Sequence, residues 1–140
     1  MLDIDGTDGG GQILRTALSL AVVTDTSFRI ESIRGSRPTP GLRPQHLAAV
    51  ELTAACCDAE LSGAELGSDT LEFEPGDERQ TTLTADVETA GSLTLLFDTV
   101  LPIGAVESSS FEVETTGGTD VKWAPTMAYY RRVKLPLLAR

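Results

Sequence analysis

Short strand-like runs alternate with helical ones at the start of the chain. Leu2–Asp5 predicts a buried strand, and residues 27–33, where Phe28 and Ile30 alternate with polar positions, predict a second one. Between them, apolar residues recur at spacings of three and four, which is typical of a helix running to about residue 24. The positions expected to face the core are Ile13, Leu14, Ala17, Leu18, Ala21 and Val22.

The order of elements is predicted to repeat. Two strands near 58–64 and 69–75 are expected to close a first unit, residues 1–78. The second unit, residues 79–140, is predicted to begin with a strand at 82–87 and a turn at Ala90-Gly91-Ser92. An apolar helix over Leu93–Val106, interrupted at Pro102, and a strand at 110–115 are expected next. The last element is predicted to be a helix from Pro125 that is kinked at Pro136 and has on one face Met127, Tyr130, Val133 and Leu137. The pattern favours an α+β or α/β fold of repeated β-α-β-α-β-β units, with helices on one face of small sheets. The second unit lacks its closing strands, which suggests a truncated chain.

A glycine-rich turn follows the first strand. Four glycines fall within the six residues from Gly6 to Gly11, where they cannot stabilise a helix or strand interior. A strand, a glycine turn and a helix N-terminus together predict an anion site, because unpaired amides and the helix dipole both favour negative charge. Arg15 lies one turn into the helix, within reach of that site. The alternative is a plain turn beside an ordinary surface arginine. Neither the P-loop nor the dinucleotide fingerprint is met.

A loop dense in proline, glycine and arginine, residues 34–44, follows the second strand. Its arginines are Arg34, Arg37 and Arg43, whose planar guanidinium groups suit phosphate oxygens. The prolines stiffen the loop and reduce the entropy lost in holding those groups still. We therefore favour phosphate binding over the alternative of a solvated basic loop. Pro44 suits the first turn of a second helix. The apolar stripe of that helix is predicted to be Leu47, Val50, Ala54 and Cys57.

Composition modifies this picture in part. The 140 residues are 41% hydrophobic and carry a net charge of −10, with 21 acidic against 11 basic residues. An acidic surface usually argues against a nucleic-acid partner, but residues 1–50 balance five acids with five arginines, so the excess acid lies mostly further on. Acidity with only two lysines also suits a protein of a high-salt cytoplasm. No apolar run is long enough to span a bilayer, and a cytoplasmic location is expected.

The cysteines and the single histidine offer little chemistry by themselves. Cys56 and Cys57 are adjacent in a helical pattern, so a disulfide between them is not expected, and a zinc site is not expected either. His46 follows Gln45 at the start of the second helix. It is expected to be a surface or capping residue rather than a catalyst, because no serine or cysteine partner is indicated.

With these motifs in place, the chain resembles the RNA 3′-terminal phosphate cyclases. The matching segments lie in the family's order from end to end of the chain, at residues 5–6, 9–20, 33–37, 40–47, 65–68, 90–92, 99–102, 117–120 and 124–125. In this family an active-site histidine takes AMP from ATP and passes it to an RNA 3′-phosphate. The neighbouring 2′-OH then displaces AMP and leaves a 2′,3′-cyclic phosphate.

The resemblance implies roles for particular residues. It implies that ATP and a divalent metal, Mg²⁺ or Mn²⁺, are cofactors and that RNA with a 3′-terminal phosphate is the partner. Residues that would hold phosphates at the reacting end are Arg15, Arg34, Arg37 and Gln45. Residues that would bind the nucleotide cofactor are Gly10, Gly11 and Gln12 in the turn, with Pro125 and Tyr129 against the adenine.

Two departures from the family pattern affect these expectations. The family's glycine loop is longer and has a glutamate before its three glycines, whereas Asp8 occupies that place here and is the expected catalytic carboxylate and metal ligand. The family's nucleotidylated histidine lies in a C-terminal part that these 140 residues do not include, and His46 belongs to a different family segment. We therefore expect an N-terminal portion, without the family's inserted domain and C-terminal unit, that is inactive by itself.

Two other functions compete with an enzyme of this family. A cyclase-like protein without catalysis could serve as an RNA-binding or ribosome-assembly factor, although the presence of Arg15, Arg34, Arg37 and Gln45 favours the enzyme. An unrelated α/β binding module is the third interpretation. The oligomeric state is not indicated by the sequence.

Overall fold

A computed structural model describes residues 1–87, 91–107 and 110–140 of the chain. Along the chain they form β1 (Leu2–Asp5), α1 (Gly11–Thr24), β2 (Phe28–Glu31), α2 (Pro44–Cys57), β3 (Glu60–Ser62), β4 (Leu71–Glu74), β5 (Thr82–Asp86), α3 (Leu93–Val106), β6 (Glu112–Thr116), α4 (Met127–Tyr129) and α5 (Leu135–Leu138), with a π-helical segment, Tyr130–Lys134, between the last two. Across these ranges, none of the helices has both the length and the apolar character to cross a bilayer. The predicted turn at 90–92 lies partly outside the described residues.

The first four strands form one mixed sheet in the order β1-β2-β4-β3. β1 runs parallel to β2, from the pair Leu2 and Phe28 to the pair Asp5 and Glu31. β4 runs antiparallel to both of its neighbours. The parallel pair requires a crossover, which α1 provides. The two predicted closing strands are thus confirmed.

Only one face of this sheet is covered by helices. Phe28 and Ile30 on β2, with Leu71 and Phe73 on β4, alternate toward the core and are buried. On the opposite face the Arg29 guanidinium pairs with Glu31 at 2.8 Å and with Glu72 at 3.0 Å. The expectation of helices on one face is confirmed, because among the described residues the helices pack on the face of Phe28, Ile30, Leu71 and Phe73.

The second sheet consists of β5 and β6, which pair in parallel around the crossover helix α3. The sequence predicted an interruption at Pro102, but α3 continues through this proline. Proline has no N–H for the preceding turn and ordinarily breaks a helix. Here burial of Leu96, Val100 and Ile103 outweighs that local cost, since tertiary packing supplies most helical stability.

Two burial predictions were wrong for reasons of tertiary arrangement. β1 was expected to be buried, but it is an edge strand, and Leu2 is 57% exposed. α2 was expected to bury one stripe, yet Leu52, Thr53 and Cys56 are buried as well, because the helix packs against α1, α3 and β5. Cys56 and its neighbour Cys57 are free thiols, as expected.

The last helical region differs from its prediction in where it begins and in which residues it buries. α4 begins at Met127 after Thr126, whose hydroxyl accepts the N–H of Tyr129 at 3.2 Å, rather than at Pro125. A π-helical segment then changes the number of residues per turn. Of the four residues expected on one apolar face, Tyr130 is buried and Met127 half-buried, while Val133 and Leu137 are exposed.

We expect Phe28→Ala to lower the free energy of unfolding by about 3–5 kcal/mol, because it leaves a cavity in the core. The ring of Phe28 stacks on that of Phe73, with centroids 5.7 Å apart. Leu2→Ala is the matched control, since Leu2 lies opposite Phe28 in register but is exposed. Its effect should stay below about 1 kcal/mol. Urea unfolding followed by circular dichroism measures both, and equal losses would contradict this description of the core.

Candidate phosphate-binding site

Two loops leave the same edge of the four-stranded sheet, because β1 and β2 are parallel and a loop follows each of them. We call residues 6–10 the glycine loop and residues 32–43 the arginine loop. The N–H of Ser36 in the arginine loop donates to the carbonyl of Thr7 in the glycine loop at 2.9 Å, and the N–H of Gly6 donates to the carbonyl of Glu31, the last residue of β2, at 2.8 Å. The two motifs found in the sequence therefore lie side by side.

Close contact between main-chain segments explains two of the glycines. A Cβ atom at Gly6 would lie 3.1 Å from the carbonyl oxygens of Glu31 and Ser32, so a side chain would push the loops apart. Gly41 has a φ of +79°, and a Cβ there would lie 2.4 Å from the carbonyl oxygen of Gly67. Glycine at these positions keeps the arginine loop closed against its neighbours.

The N-terminus of α1 opens onto the two loops. Gly10 is its N-cap residue and supplies no side-chain hydrogen bond to the first-turn amides, which therefore lack the usual cap. Nη2 of Arg37 lies 3.2 Å from the position of a Cβ on Gly10, and Nη1 of Arg15 lies 2.9 Å from that of Gly11. Two guanidinium groups thus flank consecutive glycines at a helix N-terminus, an arrangement that suits an anion.

Arg34 occupies the middle of the arginine loop and also shapes it. Its Nη1 donates to the carbonyl oxygens of Thr39 at 2.8 Å and Gly41 at 3.0 Å, which braces the proline-containing segment. Its backbone has a φ of +56°, and Ser32 has a φ of +53°. Such left-handed conformations cost about 1 kcal/mol or more in residues other than glycine. The surrounding hydrogen bonds hold the loop in this shape.

The arginines crowd one another electrostatically. Burial, followed by the charges of Arg43 and Arg37, lowers the pKa of Arg34. Burial also lowers the pKa of Arg15, which the carboxylate of Asp98 partly counteracts. Arginine remains charged at any physiological pH. A bound anion would therefore relieve repulsion that the folded chain otherwise has to contain.

His46 lies in the midst of these charges. It is 9% exposed, and its Nδ1 accepts the backbone N–H of Arg43 at 3.2 Å, which makes it a capping residue of α2. Burial first, and then the charges of Arg34, Arg15 and Arg43, lower the pKa of His46 to about 4. The imidazole is therefore neutral at pH 7. The sequence suggested a surface or capping residue. The structure confirms the capping role, whereas the surface position was wrong.

A chain of buried and partly buried hydrogen bonds connects Gln45 to the second part of the fold. Oε1 of Gln45 accepts the N–H of Ser92 at 3.2 Å. The hydroxyls of Ser92 and Thr94 lie 2.8 Å apart, and Thr94 donates to the carbonyl of Pro125 at 2.8 Å. Since Thr94 uses its only proton on Pro125, Ser92 is the donor between the two hydroxyls. Gln45 and Pro125 are thus positioned by one continuous network.

Comparison with known proteins identifies the family that has this sequence. The profile of the family described as RNA 3′-terminal phosphate cyclase matches residues 7–140. The chain belongs to this family.

Curated relatives named RNA 3′-terminal phosphate cyclase are similar over nearly the whole chain. Those of Halobacterium salinarum, Methanococcoides burtonii and Methylococcus capsulatus are 46%, 42% and 49% identical to it, over 146, 142 and 149 residues. The alignments cover 96%, 100% and 100% of this chain, but 43%, 43% and 41% of the relatives. This cyclase-family chain therefore spans less than half the length of the relatives it matches.

The site residues expected from the sequence do not all come together. Arg15, Arg37 and Gln12 approach Gly10 and Gly11, and Oε1 of Gln12 lies 2.5 Å from the position of a Cβ on Gly10. Arg34 lies in the arginine loop, close enough to Arg43 and Arg37 for their charges to contribute to its lowered pKa. Gln45 and Pro125 are joined to each other by the buried network. Asp8 is exposed in the glycine loop, and Tyr129 is 48% exposed in the first turn of α4.

Reasoning from the sequence missed several residues of this site in the cyclase-family chain. Arg43 was recognised as a loop arginine but not selected, although its place beside the N-terminus of α2 could have pointed to it. Ser92 was recognised as part of a turn but not as a site residue, and Thr94 was not singled out, because small hydroxyl residues are common in turns. Asp98 could be found only from the packing of α3 on α1.

Lowering the pH should destabilise the chain through His46. Its pKa in the folded state, about 4, lies below the ordinary value of 6.5. Between these values the unfolded chain binds a proton that the folded chain does not. Stability should therefore fall by about 3 kcal/mol as the pH drops from 7 to 4, and this contribution should level off below pH 4.

Urea unfolding of the wild type and of His46→Gln across this pH range isolates that contribution, because carboxylates titrate in both proteins. The difference in unfolding free energy between them should be constant above pH 7 and should shrink toward pH 4. Parallel stability curves down to pH 4 would contradict a buried neutral imidazole beside Arg15, Arg34 and Arg43.

Proposed function

We propose that the protein converts an RNA 3′-terminal phosphate to a 2′,3′-cyclic phosphate with ATP, through adenylylated intermediates, and that this chain supplies the phosphate-binding part of the site. The observation that supports the proposal is the approach of Arg15 and Arg37 to consecutive glycines at the uncapped N-terminus of α1. Membership of the cyclase family agrees with it. We also propose that residues 1–78 and 79–140 are successive repeat units and that the protein works in the cytoplasm.

The role proposed for the arginines is to place phosphate groups. At an effective dielectric constant near 20, the Coulomb attraction between two close opposite charges is about 4 kcal/mol. Arg15, Arg34 and Arg37 would bind the phosphate oxygens, and the braces on Arg34 keep its guanidinium in place. Fixed donors need no rearrangement as charge develops during nucleotidyl transfer. The chain would thereby contribute positioning and charge stabilisation.

Gln45 is proposed to donate to the same phosphate groups. Its amide oxygen is engaged by the N–H of Ser92, which fixes the orientation of the amide. The amide nitrogen therefore remains as the end that can bind an oxygen anion. Through Ser92 and Thr94 the same network supports Pro125, which we propose lies against the adenine together with Tyr129.

Asp8 is the carboxylate that would take part in metal binding. Within the described parts of the chain no group of three or more His, Cys, Asp and Glu residues is placed to hold a metal. Mg²⁺ commonly uses one or two carboxylates together with substrate phosphates rather than a cage of protein ligands. A single exposed aspartate in the glycine loop fits that mode of binding. A bound Mg²⁺ or Mn²⁺ would neutralise phosphate charge.

Binding of an RNA oligonucleotide with a 3′-phosphate tests the proposed site. We expect the chain to bind it more tightly than the same oligonucleotide with a 3′-hydroxyl, because only the former presents a terminal phosphate. Arg37→Ala should weaken binding of the phosphorylated oligonucleotide by about tenfold or more, as charged hydrogen bonds are lost. Fluorescence anisotropy at fixed ionic strength measures each affinity.

Arg29→Ala is the matched control for this experiment, since it removes the same charge from the open face of the sheet. It should leave the preference for the 3′-phosphate intact. Equal affinity for the two oligonucleotides, or equal effects of the Arg29 and Arg37 substitutions, would overturn the proposed phosphate site.

Labelling with ATP tests which part of the reaction belongs to this chain. Imidazole attacks the α-phosphate through an unprotonated ring nitrogen. In the only histidine, His46, the unprotonated nitrogen is Nδ1, which accepts the N–H of Arg43 and caps α2. Incubation with α-labelled ATP, Mg²⁺ and RNA 3′-phosphate should therefore leave no label on the denatured chain. Label that disappears in His46→Ala would contradict this assignment.

A further inference from the structure

His46 has a second nitrogen that the capping role leaves unused. Nδ1 accepts the backbone N–H of Arg43, so the proton of the neutral ring must reside on Nε2. Among residues 1–87, 91–107 and 110–140, no acceptor forms a hydrogen bond with Nε2. The cap at the start of α2 therefore sets the tautomer and turns the Nε2–H away from its own helix.

The Nε2 edge of the ring faces Gly11, which follows the glycine loop and begins α1. A Cβ atom on Gly11 would lie 2.5 Å from Nε2 of His46 and 2.8 Å from its Cδ2, alongside Nη1 of Arg15 at 2.9 Å. The absence of a side chain at Gly11 is what lets the imidazole reach the first turn of α1. The Nε2–H and the Arg15 guanidinium therefore lie side by side against Gly11, at the start of that turn.

We propose that His46 is a further ligand of the anion held at the glycine loop and donates to a phosphate oxygen through Nε2–H. This inference rests on the proposed phosphate site and adds a residue to it. Neutrality suits the role, since Arg15, Arg34 and Arg43 already crowd the ring and a further positive charge would add repulsion. A neutral N–H donor provides a hydrogen bond without that cost. The ring binds the phosphate group and transfers no proton to it.

Nuclear magnetic resonance can observe this contact directly, because the chain has only one histidine. Long-range ¹H–¹⁵N spectra of the imidazole should show an unprotonated Nδ1 and a protonated Nε2 at pH 7. Addition of inorganic pyrophosphate should shift the Nε2 and Hε2 resonances, with a midpoint equal to the dissociation constant from calorimetry. Arg37→Ala should weaken that binding, and Arg29→Ala should not.

Two substitutions separate the capping role from the proposed contact. In His46→Asn the side-chain oxygen can replace Nδ1 as the cap acceptor but cannot reach the glycine loop. In His46→Gln the longer amide can place an N–H near the position of Nε2. We expect Asn to lower pyrophosphate affinity about tenfold while it keeps the urea midpoint, and Gln to stay within about threefold of the wild type.

The outcomes distinguish this inference from the function on which it rests. If the wild type binds no pyrophosphate, the phosphate site and the His46 contact both fail. If the wild type binds it and Arg37→Ala does not, but Nε2 does not shift and His46→Asn keeps full affinity, the His46 contact alone is wrong. The wild-type spectra decide the question even where a substitution at position 46 unfolds the chain.

Discussion

The parallel pairing of β1 with β2 is the constraint on which the remaining structure depends. Parallel neighbours end at the same edge of a sheet, so the segments that follow them must share that edge. The glycine loop and the arginine loop meet there, joined by the main-chain hydrogen bond from Ser36 to Thr7. α1 begins at the junction and turns its unpaired amides toward it. The candidate site thus follows from strand direction before any side chain is considered.

Side chains add a strongly positive centre to a chain whose net charge is −10. Arg34 is held by the main-chain carbonyls of Thr39 and Gly41 rather than by a carboxylate, which would compete with an incoming phosphate. Asp98 is the acidic residue that acts on Arg15, and it is itself paired with Lys134 at 2.5 Å. A centre built in this way keeps its attraction for anions despite acidic surroundings. The acidic composition is therefore compatible with a phosphate ligand.

Local patterns in the sequence were sufficient for the order of elements and for the two loops. Glycine spacing, proline positions and helical periodicity are properties of neighbouring residues, and they were interpreted correctly for α1, β2 and α2. Errors arose where the outcome depends on distant parts of the chain. The exposure of β1 depends on its place in the sheet, and the surroundings of His46 depend on an arginine of another helix. Periodicity also failed at Tyr130–Lys134, where the helix changes its pitch.

The hydrogen bonds of the network from Gln45 to Pro125 are donated in a fixed direction. Ser92 donates to Thr94 and Thr94 donates to Pro125, so every hydroxyl proton points away from Gln45. Such an array has a single proton arrangement. Of its three bonds, the one between Gln45 and Ser92 joins residues 1–78 to residues 79–140, and the other two lie within residues 79–140. Displacing α2 from Ser92 would therefore break one hydrogen bond of the network and leave Ser92, Thr94 and Pro125 linked to one another. Gln45 thus docks onto a preassembled unit.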